Sequence, residues 1–150
     1  MKGNIVLAIA GGAIGAFVGA TIWAAVTVYS NYQIGFMAIG VGALVGYLVR
    51  ILGGGHTRTF GLVGATFAIM GCVFGNILSG IGFFAKENGL GLLDTYLNFD
   101  FGASGDILVA MFSPIDILFY AIAISAAFRY SKTPDMRETE KVSQATSCLR

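Results

Sequence analysis

Residues 4–29, NIVLAIAGGAIGAFVGATIWAAVTVY, decide the fold class. The stretch runs for about 26 residues with no Asp, Glu, Lys or Arg. At about 1.5 Å per helical residue, about 20 such residues cross a hydrocarbon core of about 30 Å. A water-soluble helix of this length would carry a polar face recurring every turn. None is present here, nor in residues 60–84. The charged n-region is only Met1-Lys2, and the stretch is far longer than the apolar core of a signal peptide, so it reads as a retained helix.

The same pattern recurs outward along the chain. No acidic or basic residue lies between Lys2 and Arg50, between Arg58 and Lys86, or between Asp116 and Arg129. Overall 56% of the residues are hydrophobic and 11% charged, against about 25% charged in a soluble domain. The predicted fold is therefore all-α: a polytopic membrane bundle of about four transmembrane helices over residues 1–130. The spans run from about 4–29, 34–52, 60–85 and 114–130, and residues 131–150, with Pro134, form a polar tail, disordered or weakly helical. A net charge of only +1 leaves no basic footprint for nucleic acid.

The breaks between spans are readable. Ser30-Asn31-Tyr32-Gln33 is a short polar turn, and Gly53-Gly54-Gly55-His56-Thr57-Arg58 a glycine-rich loop. At Ser113-Pro114-Ile115-Asp116 a hydroxyl stands at an N-cap, proline at the first helical position and an acid at the third, which together start a helix. One kinked helix from Ile107 through Pro114 is the alternative, and the agreement among the cap residues favours the break. Residues 104–112 then form a short helix that lies at the interface or dips into it, and Leu90 to Phe101, which mixes Leu, Tyr and Phe with Asp94 and Asp100, suits the interface too. Arg50 and Arg58 flank the second loop, and Arg129, Lys132, Arg137, Lys141 and Arg150 sit at and after the end of the fourth span. The third loop sets Lys86 against Glu87, Asp94, Asp100 and Asp106. By the positive-inside rule both termini are cytoplasmic.

Small residues at intervals of four are the most informative pattern inside the spans. Gly11, Gly15 and Gly19 form one set, Ala38, Gly42 and Gly46 a second, and Gly71, Gly75 and Ser79 a third. Each set lies on one helix face and lets another backbone approach closely, in the manner of a glycine zipper. Packing within the bundle and contact with a second subunit both fit. Further glycines stand off these stripes, at Gly12, Gly35, Gly40, Gly61, Gly64, Gly80 and Gly82. Glycine costs a helix about 1 kcal/mol against alanine, so glycines on several faces are easier to understand if outer faces also meet protein.

Polar groups inside the spans are few: Asn76 first, then Thr21, Thr27, Thr66, Ser79 and Ser125. An amide in hydrocarbon needs a partner, most often on another helix, so Asn76 reads as a bundle cross-link; lining a polar path is the other reading. No Asp, Glu or Lys sits at mid-depth, which argues against a proton relay or an ion-coupled carrier. Arg50 and Arg129 are placed to snorkel toward headgroups, and Asp116 reads as a helix-start acid. His56 is the single histidine, and Cys72 and Cys148 share no metal-ligand spacing, so no metal and no cofactor is expected. Cys72 reads as small apolar filler. The glycine loop lacks the Lys-Ser/Thr of a phosphate loop, and no catalytic constellation is found. Val18-Gly19-Ala20-Thr21 recurs as Val63-Gly64-Ala65-Thr66, too short to carry a repeat.

Residues 32–50, YQIGFMAIGVGALVGYLVR, and 113–131, SPIDILFYAIAISAAFRYS, resemble a group of small, uncharacterised four-helix bacterial inner-membrane proteins. The resemblance covers most of residues 10–130. It implies a bacterial inner-membrane location and four helices, and no activity. Some members of the group carry a zinc-binding segment ahead of the membrane part; the present sequence has no cysteine pair for one.

Three functional expectations follow. The first is a non-enzymatic, self-associating scaffold or accessory subunit whose partners are the lipid bilayer, further copies of itself and possible other membrane proteins. The second is a small channel or transporter with a path between helices or along an oligomer axis. The third, an immunity-type protein against a membrane-active toxin, fits by size and location alone.

Overall fold

A computed structural model of the chain describes residues 3–32, 34–55, 57–100, 102, 104–131 and 136–148. Lys2, Gln33, His56, Phe101, Lys132, Pro134 and Arg150 lie outside these. The order is α1 (Ile5–Ser30), α2 (Phe36–Gly53), α3 (Arg58–Glu87), α4 (Leu92–Leu97), α5 (Ser104–Met111), α6 (Pro114–Tyr130) and α7 (Met136–Cys148). No strand occurs among the described residues. α1, α2 and α3 are each long and apolar enough to cross a membrane. α5 and α6, bent by 99° at the break between them, make up to one more span.

The helix boundaries follow from local chemistry. The Asn4 side-chain oxygen accepts hydrogen bonds from the backbone N–H groups of Val6 (3.0 Å) and Leu7 (3.4 Å), capping α1. α1 ends where Asn31 enters the left-handed region at φ 55°, and α2 where Gly54 does so at φ 61°. The Gly54 N–H returns to the Arg50 carbonyl (2.9 Å). At the start of α6 the Asp116 carboxylate accepts from the Ser113 backbone N–H (2.8 Å), the reciprocal half of a capping box. The break thus falls between Met111 and Pro114 rather than as a kink inside one helix. Two bounds differ from the sequence reading. α3 begins at Arg58 and runs to Glu87, so Arg58 and Lys86 are helical rather than in loops. The polar tail contains a helix, α7, which packs against no other described element.

α2 and α3 touch at the centre, α1 lies against both on one side and α6 against both on the other. The helices alternate in direction, as their facing residues show. Gly11, Gly15 and Gly19 of α1 face Leu48, Val45 and Val41 of α2, so these two run antiparallel. Gly42 and Gly46 of α2 face Ala123 and Ala127 of α6, so those run parallel. Gly71 and Gly75 of α3 face Ala16 and Trp23 of α1. The approaches leave no room for a methyl group. One placed on Gly11 would lie 2.7 Å from the Leu48 carbonyl oxygen, on Gly15 2.9 Å from the Val45 Cα, and on Gly46 2.9 Å from the Ala127 carbonyl oxygen. On Gly71 and Gly75 it would lie 2.8 Å from the Val41 Cγ1 and the Trp23 Cε3. At Gly19 the fit is looser, 3.2 Å from the Val41 side chain.

Glycine and alanine make up much of the interior, beside larger residues such as Trp23 and Val45, and many large apolar side chains lie outside. Along α1 the buried positions include Ala8, Gly11, Gly12, Gly15, Ala16, Gly19, Ala20 and Ala24. The exposed ones include Ile9, Ile14, Phe17 (74%), Ile22 and Val26. α2 exposes Phe36 (70%) and Tyr47, α3 exposes Leu62 and Phe74, and α6 exposes Ile117, Leu118 and Ile122. In water each such side chain would forfeit about 25 cal/mol for every Å² of apolar surface, and soluble chains rarely expose contiguous apolar patches beyond a few hundred Å². Among hydrocarbon chains the same surface costs nothing. In that setting close packing of small residues is what can hold helices together.

Candidate functional site

Most of the buried polar groups gather in the half of the bundle nearer the α1–α2 turn; Ser131, toward the other end, returns its hydroxyl to the Ala127 carbonyl (2.6 Å). Asn76 of α3 is fully buried, and its Nδ2 donates to the Tyr120 hydroxyl of α6 at 2.5 Å. The Tyr120 hydroxyl donates in turn to the Cys72 carbonyl at 3.3 Å. One turn before Tyr120 stands Asp116, the one buried carboxylate among the described residues, held by the Ser113 N–H. The Phe112 ring meets the Tyr120 ring nearly edge-on, with centroids 6.1 Å apart. α3 and α6 are therefore joined by a side-chain cross-link. In hydrocarbon such a bond is worth about 0.6–1.7 kcal/mol.

On α1, Trp23 and Thr27 are both fully buried one turn apart. Neither the indole Nε1 nor the Thr27 Oγ1 has a hydrogen-bond partner among the described residues. Trp23 packs on Gly75, the residue before Asn76, and the Gly75 carbonyl accepts from the Ser79 hydroxyl at 2.7 Å. The arrangement offers one satisfied pair and two open polar groups, without a nucleophile and base in contact. That is the chemistry of a structural polar core or of a small hydrated site.

The remaining polar residues noted in the sequence point elsewhere. Thr21, Thr66 and Ser125 are exposed on outward faces, and each hydroxyl returns to the carbonyl four residues earlier: Phe17, Leu62 and Ala121. That is how a hydroxyl is satisfied in lipid without a partner helix. They take no part in the Asn76 cluster. Arg50 is half-buried in the last turn of α2, and Arg129 is exposed in the last turn of α6. They share one end of the bundle with Asn4 and Arg58, since the Asn4 N–H donates to the Gly53 carbonyl (2.8 Å) and Gly46 lies against Tyr130. Cys72 is buried and free, and Cys148 exposed and free.

Sequence reasoning identified Asn76 and missed its partner. The signal was available: Tyr120 follows Asp116 by one turn on the face that carries Ala123 and Ala127 inward. Trp23 was missed because an indole in an apolar run looks like packing. The off-stripe glycines have an unforeseen use. Gly12, Gly35 and Gly61 are sockets for the rings of Phe67, Phe119 and Phe128. Gly64 faces Ser131, Gly80 faces Ile107 and Gly82 faces Val28. These six positions are accounted for within one chain, so they give no support to an outer protein contact. Gly40 differs: among the glycines of α1, α2, α3 and α6 it alone would carry a methyl group that meets nothing.

No family model, curated protein or solved structure matches the chain.

Proposed function

We propose that the chain is a four-span bacterial inner-membrane protein, without enzymatic activity, that acts by self-association as a scaffold or accessory subunit. Membership in the four-helix group resembled by residues 32–50 and 113–131 is part of the proposal. α1, α2, α3 and α6 are the spans, and α5 lies along the interface at the end far from the arginines. The gathering of Arg50, Arg58 and Arg129 at the end that also holds Asn4 and the last turn of α6 supports cytoplasmic termini. Exposed Tyr29 and Tyr32 at one end, with Tyr47 and Tyr130 toward the other, fit the aromatic belts of a bilayer.

The observation that carries self-association is the outward face of α2. Phe36, Gly40, Tyr47 and Ile51 lie along it, all exposed. Gly40 gives up helix propensity there with no internal contact to explain it. A glycine between Phe36 and Tyr47 makes a notch that another helix can enter, with aromatic contacts on either side. The mass of the particle extracted with its native lipid tests this: a multiple of the chain mass is expected, and a monomer at every concentration rejects it.

A small channel or transporter is the second reading. Its support is the unpartnered Trp23 indole and Thr27 hydroxyl beside the Asn76–Tyr120 pair, which a file of water or a polar solute would satisfy. Flux through liposomes holding the purified chain tests it. A Trp23→Phe variant that leaves a measured flux unchanged would place the path elsewhere.

A further inference from the structure

A groove of about 970 Å³ lies on the outside of the bundle where α1, the end of α3 and α4 meet. Its floor is α1, from Phe17 through Thr21, Ala24 and Ala25 to Tyr29. The small side chains at 24 and 25 leave the trough open. Leu90, Leu92, Leu93 and Tyr96 wall it on the α4 side. α4 is fixed there because the Tyr96 hydroxyl donates to the Leu78 carbonyl of α3 at 2.8 Å. Burial pushes that hydroxyl above its usual range.

Two features say what the groove fits. The first is length. From Phe17 to Tyr29 the α1 wall extends about 18 Å at about 1.5 Å per residue, close to the roughly 15 Å depth of one leaflet's hydrocarbon. The second is the charge at its mouth. Lys86, which also lines the groove, donates from Nζ to the Asn31 side-chain oxygen (2.7 Å) and the Val28 carbonyl (3.2 Å). Both partners are neutral, and an ammonium has three N–H donors, so among the described residues no carboxylate pairs with it and one donor stays open. The two bonds hold the ammonium at the end of α1 rather than leaving it free in solvent. A fixed cation at the end of an apolar trough one leaflet deep matches a headgroup phosphate above an acyl chain.

We propose that this groove binds one anionic phospholipid, its acyl chain along Ala24 and Ala25 and its phosphate on Lys86. The proposal rests on the membrane-spanning reading above. The test uses the full chain, extracted in mild detergent, stripped of lipid, and supplied with phosphatidylglycerol or phosphatidylcholine of the same acyl chains. Native mass spectrometry reads the lipid retained. The wild-type chain should hold one phosphatidylglycerol in preference to phosphatidylcholine. Lys86→Gln keeps a donor and loses the charge, and should weaken phosphatidylglycerol by about fivefold and phosphatidylcholine, whose choline offsets its phosphate charge, by less. Ala25→Trp and Leu93→Glu fill or charge the trough at exposed positions and should abolish retention of both lipids. Wild-type retention in these two variants would overturn the proposal. So would an Ala25→Trp particle of lower mass that keeps its lipid, which would make the groove a seat for a second copy. Alkaline extraction of membranes is read in parallel. Release of the chain by alkali overturns the membrane reading, whereas a resistant chain that holds no lipid overturns the groove alone.

Discussion

Gly42 of α2 and Ala123 of α6 meet backbone to backbone: a methyl group on Gly42 would fall 2.8 Å from the Ala123 Cα and closer still to its carbonyl oxygen. The obstacle is main chain, which cannot turn aside as a side-chain tip can. Contacts of this kind set how closely the helices approach, and they separate interior glycines from the one at position 40.

Leucine at Gly42 should therefore destabilise the bundle by about 1–3 kcal/mol, as overpacking of a tight core does. Gly15→Leu, against the Val45 backbone, should behave alike. Gly40→Leu should leave stability unchanged or raised, because nothing stands in its way and leucine favours a helix. Denaturation of the three variants in one detergent checks the order. Equal stabilities for Gly42→Leu and the parent would mean that α2 and α6 are not in contact.

Removing the Tyr120 hydroxyl should cost about 0.6–1.7 kcal/mol, because it withdraws one partner from a buried amide. A double-mutant cycle of Tyr120→Phe with Asn76→Leu should show coupling between the two. Strict additivity would mean that the two groups do not bond in the membrane.

The native cysteines report topology. Cys148 is exposed in α7 and Cys72 is buried in α3. An impermeant maleimide should modify Cys148 only after the membrane is opened, and Cys72 only after denaturation. A cysteine at Asn98, with Cys148 replaced by serine, should react in intact cells. Labelling of Cys148 in intact cells, with position 98 protected, would invert the arrangement.

How far the sequence carried the fold can be seen along α1. Its helical state followed from an apolar run without charge. Its inward face did not follow from hydropathy, because Ile14 and Ala16 are both apolar yet one is exposed and the other buried, and the large Trp23 is inside as well. The glycines at 11, 15 and 19 marked part of that face. Which helix each glycine met depended on how the helices cross, which no local pattern encodes. Gly12, Gly35 and Gly61 looked like surplus until Phe67, Phe119 and Phe128 filled them. Asn76 was legible because hydrocarbon demands a partner for an amide. Its partner was not, since Tyr120 lies 44 residues away. The groove was invisible for a similar reason: Lys86 had been read as a loop charge, and its place beside Asn31 needs the end of α3 brought against the end of α1.

The outward face of α2 is where the account is most exposed to test. The chain would carry a single cysteine at Phe36 or at Tyr47, with Cys72 and Cys148 replaced by alanine and serine, and be oxidised in native membranes. The account predicts a disulfide-linked dimer at one or both positions, and its loss when Gly40→Leu fills the notch while the variant still melts like the parent. A chain that stays monomeric at both positions, or crosslinks equally well with leucine at 40, would contradict self-association through this face.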